Sequence, residues 1–473
     1  MEYKISGTIM TIEDTVSIDI SEYAAEQPVE LALNRDADGR LTLKPGKRCA
    51  LLSLPPAKRR ISVGQPDDFG FCVLKDEGIE LEAEKIKVTE ITDTCGDTVT
   101  LGEDKSLWDS ASFALKSLTG GSNTLLYDDL GRPSVMVRIP AFKWSDVWEE
   151  GDDSLCSAFI AGGKELDCIY ISKYLNVIEY GRAYSLPGKD PAHTIDLERA
   201  RTACANKGRG WHLMTNAEWM ALAFWCQKNG IRPGGNNFCG KNINAPHEHG
   251  VLSHGESLGV PKKGRTLTGS GPVSWNHDGT PAGISDLHGN IWDMVSGLRL
   301  MDGEIQVIPD NDSALNVDES ENSRLWRAIL PDGSLVDPGT KGTLKLDGKE
   351  AGSPEEKQFT LKGGAVLSDT VVNPQYTGNI KGGHFGYTMM LLKDLKAKEG
   401  IKVPDILKKI GIFPISEDIG PDRLFLRSYG ERTPIRGGSW FDKANAGLWE
   451  LYMRDHRHFI YPDIGFRSAY IDI

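Results

Sequence analysis

Hydrophobic and polar positions change their rhythm along the chain. Over the first hundred residues, short apolar or alternating runs recur at 16–20 (VSIDI), 29–33 (VELAL), 49–54 (CALLSL), 71–74 (FCVL) and 79–88 (IELEAEKIKV). Turn-forming clusters separate them, among them Asp36-Ala37-Asp38-Gly39 and Gln65-Pro66-Asp67-Asp68. This length and spacing predicts strands of a small sandwich or barrel. Helical periods come later. Within 196–207 (DLERARTACANK), Leu197, Ala200 and Cys204 fall on one face. Thr215-Asn216-Ala217-Glu218 has capping-box spacing, the Thr hydroxyl and Glu carboxylate each accepting the other's backbone N–H. The helix it opens presents Trp219, Leu222, Ala223 and Cys226 and should stop near Gly230. Beyond it, short apolar runs alternate with Gly-, Asn- and Asp-rich loops. A hairpin is expected at 344–349 (LKLDGK) and a basic helix at 404–411 (PDILKKIG). The pattern reads as α+β, with a β-rich module over 1–105 and a larger mixed domain over 106–473.

Composition narrows the class. The 473 residues carry 54 Lys+Arg against 67 Asp+Glu, a net charge of −13, which argues against nucleic acid because phosphate binding needs a basic surface. No run approaches the ~18 apolar residues of a membrane span, so no membrane insertion is expected. The start, MEYKISGTIMTIEDTV, lacks the basic and apolar regions of a signal peptide. The eight cysteines include no CxxC pair and are expected to be reduced, mostly buried thiols. All eleven tryptophans lie at Trp108 or later, so the first hundred residues build a different kind of core. No nucleophile elbow, P-loop or HExxH is present. His247, His249 and His254 (PHEHGVLSHG) have spacing that zinc could use and are read instead as a polar loop.

Four motifs occur in one order: ELDCIYISKYLNVIEYG (165–181), GWHLMTNAEWMALAFW (210–225), GISDLHGNIWDMVSG (283–297) and RGGSW (436–440), the last followed by IGFRSAY (464–470). This series resembles the formylglycine-generating-enzyme-like, or sulfatase-modifying-factor, branch of the C-type lectin fold, over roughly 120–300 and 430–473. Gly437 and Gly438 would allow positive φ or close packing before Trp440, Gly289 would serve a tight turn, and Trp292 and Trp440 are read as core fillers. The long interval between the third and fourth motifs departs from compact members, and 300–430 is read as an inserted subdomain.

The resemblance implies an oxidase that uses two cysteines in the C-terminal part as copper ligands. This chain has no cysteine after Cys239, so a non-enzymatic relative is expected, with the oxidase or a degenerate enzyme as the alternative. Related iron-dependent sulfoxide synthases need histidines from a companion domain, and the first hundred residues contain none. No cofactor is required on this reading. The resemblance does imply structural Ca²⁺ on the turn at 286–293, with carboxylates from Asp286 and Asp293 and carbonyls from Gly289 and Ile291. Hydrogen-bonded acids without a metal remain open there.

Residues 441–463, between RGGSW and IGFR, are dense in rings and charges. Phe441, Asp442, Lys443, Trp449, Glu450, Tyr452, Arg454, Asp455, His456, His458, Phe459, Ile460, Tyr461 and Asp463 are the candidate ligand-binding residues. Ala444, Ala446, Gly447, Leu448, Leu451 and Met453 form the expected inward-facing set. The arrangement is similar to the variable proteins of diversity-generating retroelements, which place a hypervariable region between RGGSW-like and GFR-like motifs and include phage tropism determinants. That resemblance implies a binding face over 436–470 for a cell-surface protein or other macromolecular receptor. It also implies display on a phage tail within the virion, a cytoplasmic location if bacterial, and a homo-oligomer, a trimer by analogy. A lectin binding carbohydrate directly through Ca²⁺ is the third reading.

Overall fold

The computed structural model describes residues 106–253, 264–349, 364–371 and 387–473, together with the backbone of strands within the first hundred residues and of Thr360–Leu361. The chain divides into two compact units, Met1–Ala114 and Leu115–Ile473.

In the first unit, strands at Val16–Asp19, Ala32–Arg35, Arg48–Ser53, Cys72–Asp76 and Lys87–Asp93 fall on or beside the five runs read from the sequence. Ala32–Arg35 pairs antiparallel with Leu41–Lys44, so the two flank the turn cluster at 36–39. Both belong to a seven-stranded sheet.

The second unit is mostly sheet with few helices, a mixed α and β fold. A five-stranded antiparallel sheet runs in the order Asn123–Tyr127, Pro133–Pro140, Cys168–Ser172, Ser468–Tyr470, Trp211–Leu213. The last strand of the chain therefore lies between two strands from its first half. The helix Leu197–Ala205 is capped by Asp196, whose carboxylate accepts Arg199 N–H. The helix Asn216–Lys228 carries the expected capping box at Thr215 and Glu218. Glu218 also accepts from Asn311 and pairs with His212 Nε2 at 2.9 Å, tying the helix start to the sheet edge. Burial extends beyond the expected stripe, with Met220, Ala221 and Phe224 enclosed as well.

A second, seven-stranded sheet holds the C-terminal motifs. Leu451–Met453 lies between Arg423–Leu426 and Ile435–Arg436, and Trp292–Met294 lies between Ile435–Arg436 and Ile464–Phe466. A third sheet joins Leu298–Met301, Glu304–Val307 and Arg327–Ile329 to Glu431–Arg432. The stretch 300–430, expected as an inserted subdomain, thus contributes strands to two sheets. Its Leu344, Leu346, Leu392, Leu407 and Ile412 also share one core with Trp219 and Phe224. Asp347-Gly348, expected to turn a hairpin, instead lies inside strand Lys345–Gly348, which pairs with Ala365–Ser368. The basic helix forms at Asp405–Lys409. Among the described residues no helix is long and apolar enough to cross a membrane.

Candidate functional site

The turn after RGG sets the geometry of the site. Gly437 and Gly438 both have positive φ, +87° and +79°. A Cβ at Gly437 would lie 2.8 Å from the Leu287 carbonyl oxygen, and one at Gly438 would lie 2.7 Å from Glu450 Oε2. Glycine is required at both on conformation and on space. Trp440 then enters the core at 1% exposure, and Trp292 is buried in a separate cluster.

The segment 441–463 is divided by the strand at its centre. Because Leu451–Met453 lies inside the sheet, its neighbours are drawn inward. Trp449 is buried, stacks edge-on against Phe224 and donates its backbone N–H to Asp422 Oδ2 at 2.7 Å. Glu450 is fully buried. Tyr452 is half-buried against Trp292 and Phe425 and donates its hydroxyl to Asp455 Oδ2 at 2.6 Å. Asp455 is buried and pairs with Arg427. Asp463 is buried, its backbone carbonyl accepting Trp292 N–H. Trp449, Glu450, Asp455 and Asp463 are therefore corrected from ligand-contacting residues to interior ones. Ala444, expected inside, is exposed, whereas Ala446, Gly447, Leu448, Leu451 and Met453 are buried as expected.

The remaining candidates reach solvent at two places. Phe441 and Lys443 are exposed on the first, beside half-buried Asp442, whose Oδ2 accepts from Ser439 N and Oγ. The second is a tip at 456–461. His456, His458, Ile460 and Tyr461 are exposed, and Phe459 is half-buried against the cluster of Trp292, Ile464 and Phe466. Phe459 and Tyr461 stack with centroids 6.0 Å apart, and His456 meets Phe459 edge-on. Arg454 is half-buried, with its guanidinium over the Tyr452 ring.

Arg457, a charged residue of the 441–463 segment that was not among the candidate ligand-binding residues, holds this tip. Its guanidinium bonds Glu431 through Nε (2.6 Å) and Nη2 (2.5 Å), Glu198 through Nη1 (2.5 Å) and the Glu319 carbonyl through Nη2 (2.8 Å). Arg299 adds a second guanidinium to Glu431 at 2.9 Å. Backbone bonds complete the anchoring: Leu197 N–H donates to the Arg457 carbonyl and Thr194 N–H to the Tyr461 carbonyl. Four chain regions supply these charges, and no local pattern links them.

Beneath the turn lies a group of carboxyls. Neither oxygen of Glu450 has a hydrogen-bond partner, nor does Asp463 Oδ1. Burial, then the neighbouring Asp442 and Asp422, hold the Glu450 carboxyl well above the usual range. Burial raises Asp422 to about 7 and Asp442 to about 6, and burial together with Asp442 raises Asp463 to about 7.

The turn at 286–293 does not fit calcium. Arg467 Nε lies 3.3 and 3.1 Å from the Asp293 oxygens, and its Nη1 and Nη2 donate to the carbonyls of Ser172, Ser285 and Asp286. Asp286 Oδ2 accepts Gly269 N–H. Arg467 thus takes the Asp293 carboxylate and the Asp286 carbonyl, Gly289 has the positive φ of a turn residue, and Ile291 packs in the core. His247 and His249 are exposed on strand Ala245–His249, and His254 lies outside the described residues. Among the described residues no group of three or more His, Cys, Asp or Glu side chains is placed to hold a metal. Cys156, Cys204 and Cys226 are buried, Cys168 is half-buried and Cys239 is exposed, whereas Cys49, Cys72 and Cys95 have side chains outside the description.

No family model matches the chain, and no curated protein matches it.

Proposed function

We propose that the chain is a non-enzymatic recognition protein that presents a ligand-binding surface on a C-type-lectin-like scaffold, and that the surface is the 456–461 tip with Phe441 and Lys443. The observation that carries this reading is the tip itself: His456, His458, Ile460 and Tyr461 are exposed on a backbone held by the buried Arg457. Large rings on a fixed backbone contribute contact area at little conformational cost, as binding hot spots require. The lectin-like assignment draws support from the last strand, which pairs with two strands from the first half of the same domain. Retroelement diversification, phage-tail display, a macromolecular receptor and a trimer belong to the same proposal and rest on the resemblance of the motifs.

The test is a selection of displayed surface proteins against the full chain, followed by affinity measurements on variants. Tyr461→Ala and Ile460→Ala should each weaken binding at least tenfold while leaving the melting temperature unchanged. Phe459→Ala is a poorer probe, since that ring is half-buried and its loss also costs stability. Unchanged affinity in both exposed variants overturns the site. A near-copy of the codons for 435–467 beside a reverse transcriptase gene would bear out the retroelement origin, and its absence would remove that part alone.

A further inference from the structure

A cavity of about 300 Å³ opens beside the turn that follows RGGSW, between the end of helix Asn216–Lys228, the loops at 231–234 and 419–422, and the segment holding Ala444 and 446–449. Ala223, Ile231, Pro421 and Leu448 give it an apolar wall, Gln227 and Asn242 contribute carboxamides, and Asp422 is the one carboxylate that lines it. The volume is at the lower end for small-molecule sites, and the mixture of apolar wall and few polar groups is typical of them.

The charges around it have one sign to spare. Asp422 lies close enough to the fully buried Glu450 to raise it, as does Asp442, and neither Glu450 oxygen has a partner. Two guanidinium groups act on these carboxyls, Arg232 on Asp422 and Arg423 on Asp442 and Glu450, and each also has another partner. Arg232, at the cavity rim, bonds the Asp418 carboxylate at 2.8 Å, and Arg423 Nη1 points to the Met389 sulfur at 3.0 Å. His288 in the wall brings no positive charge: burial pushes it down to about 4, and its two nitrogens meet the Pro233 carbonyl and the Asn237 amide. Gly447 is needed for this arrangement, because a Cβ there would lie 2.3 Å from both Asp422 oxygens.

We propose that this cavity binds a small organic cation, an ammonium or guanidinium group on a short apolar body, with the charged head on Asp422 and the body along Ala223, Pro421 and Leu448. A cation there would meet the ionised Asp422 carboxylate, whereas an anion would be repelled by it. The site lies apart from the 456–461 tip and stands whether or not the tip binds a receptor. The same chemistry is found in a free amine and in a Lys or Arg side chain of a partner protein.

The experiment is calorimetric titration of the full chain with agmatine, benzylamine, the uncharged benzyl alcohol, and the peptides acetyl-Gly-Arg-Gly-amide and acetyl-Gly-Lys-Gly-amide. At least one cation should bind ten times more tightly than benzyl alcohol. Affinity should rise between pH 6 and 8 as Asp422, raised to about 7 chiefly by burial, ionises, with Arg232 favouring the ionised form and Asp442 and Glu450 as its acidic neighbours. Asp422→Asn should lower affinity at least tenfold. If that variant misfolds, Ala444→Trp, which places a ring at the exposed mouth, should block binding instead. Tyr461→Ala should bind the cation like the parent, which separates this site from the tip. Binding of the amines without the peptides assigns a small molecule, and binding of the peptides assigns a partner's side chain. No binding by any cation, equal binding of benzyl alcohol, or full binding by both variants overturns the proposal.

Discussion

Asp463→Asn tests the buried carboxyls most directly. Asp463 is 3% exposed, Oδ1 has no hydrogen-bond partner, and burial with Asp442 beside it raises its pKa to about 7. Arg454 and Ser439 oppose the shift and do not cancel it. An unfolded aspartate titrates near ~3.9, so the native state holds the proton about three pH units longer. With the native pKa above the unfolded one, the stabilising contribution is complete below about pH 4 and is lost as pH rises through about 7. At ~1.36 kcal/mol per unit, an isolated group would lose about 4 kcal/mol; Asp442 titrates in the same range and shares the effect, giving about 2–4 kcal/mol. Asparagine keeps the shape and removes the titration. Urea unfolding of parent and variant at pH steps from 4 to 8 should therefore show a stability difference that moves in the variant's favour as pH rises and levels off above about 7.5. Any lost hydrogen bond adds an offset that does not depend on pH. A difference that stays constant from pH 4 to 8 would refute the reasoning, because it would mean Asp463 ionises in the folded protein as it does in water.

The other predictions concern the scaffold. Arg457→Met should cost about 3–5 kcal/mol in urea unfolding, since it leaves Glu431 with one guanidinium fewer in a buried site. The loss should persist in high salt, which an exposed pair would not show. Gly437→Ala should cost at least about 2 kcal/mol, from a left-handed φ and from the Leu287 carbonyl in the Cβ position, and its melting temperature should fall accordingly. Trp440→Ala should cost about 3–5 kcal/mol because the ring is 1% exposed. EGTA should leave the melting temperature of the full chain unchanged, since Arg467 neutralises Asp293; a drop of several degrees would restore calcium to the 286–293 turn.

Local signals were legible in the sequence, and non-local ones were not. The capping box at Thr215, the helix within 196–207, the paired glycines before Trp440 and the buried Trp292 all follow from residues within a few positions of one another. Burial of Trp449, Glu450, Asp455 and Asp463 did not, because it depends on Leu451–Met453 pairing with Arg423–Leu426, a strand from a stretch without clear periodicity. Ring and charge density looked like a surface in the sequence, and four of the fourteen candidates are interior in the fold, with four more half-buried. The acids of the 286–293 turn depend on a non-local partner in the same way: Asp293 pairs with Arg467, which comes from the far end of the chain. Asp347-Gly348 likewise satisfies a hairpin pattern locally, yet it is claimed by a longer strand pairing.

The way the tip is held bears on what it can tolerate. Its anchors are Arg457 and main-chain groups: the Arg457 and Tyr461 carbonyls take N–H donors from Leu197 and Thr194, and the Asp463 carbonyl takes the Trp292 N–H. Main-chain hydrogen bonds do not depend on side-chain identity. His456, His458, Ile460 and Tyr461 project from that backbone and fill little of the core, so exchanging them removes few packed contacts. Arg457, between two of them, is the residue whose side chain the backbone path needs, and it bonds two carboxylates and a carbonyl that the tip does not supply. A surface assembled in this way separates the cost of folding from the choice of ring or charge at the tip. The same separation does not extend to Trp449, Glu450 or Asp463, where a new side chain would have to fit the core and the carboxyl group beneath it.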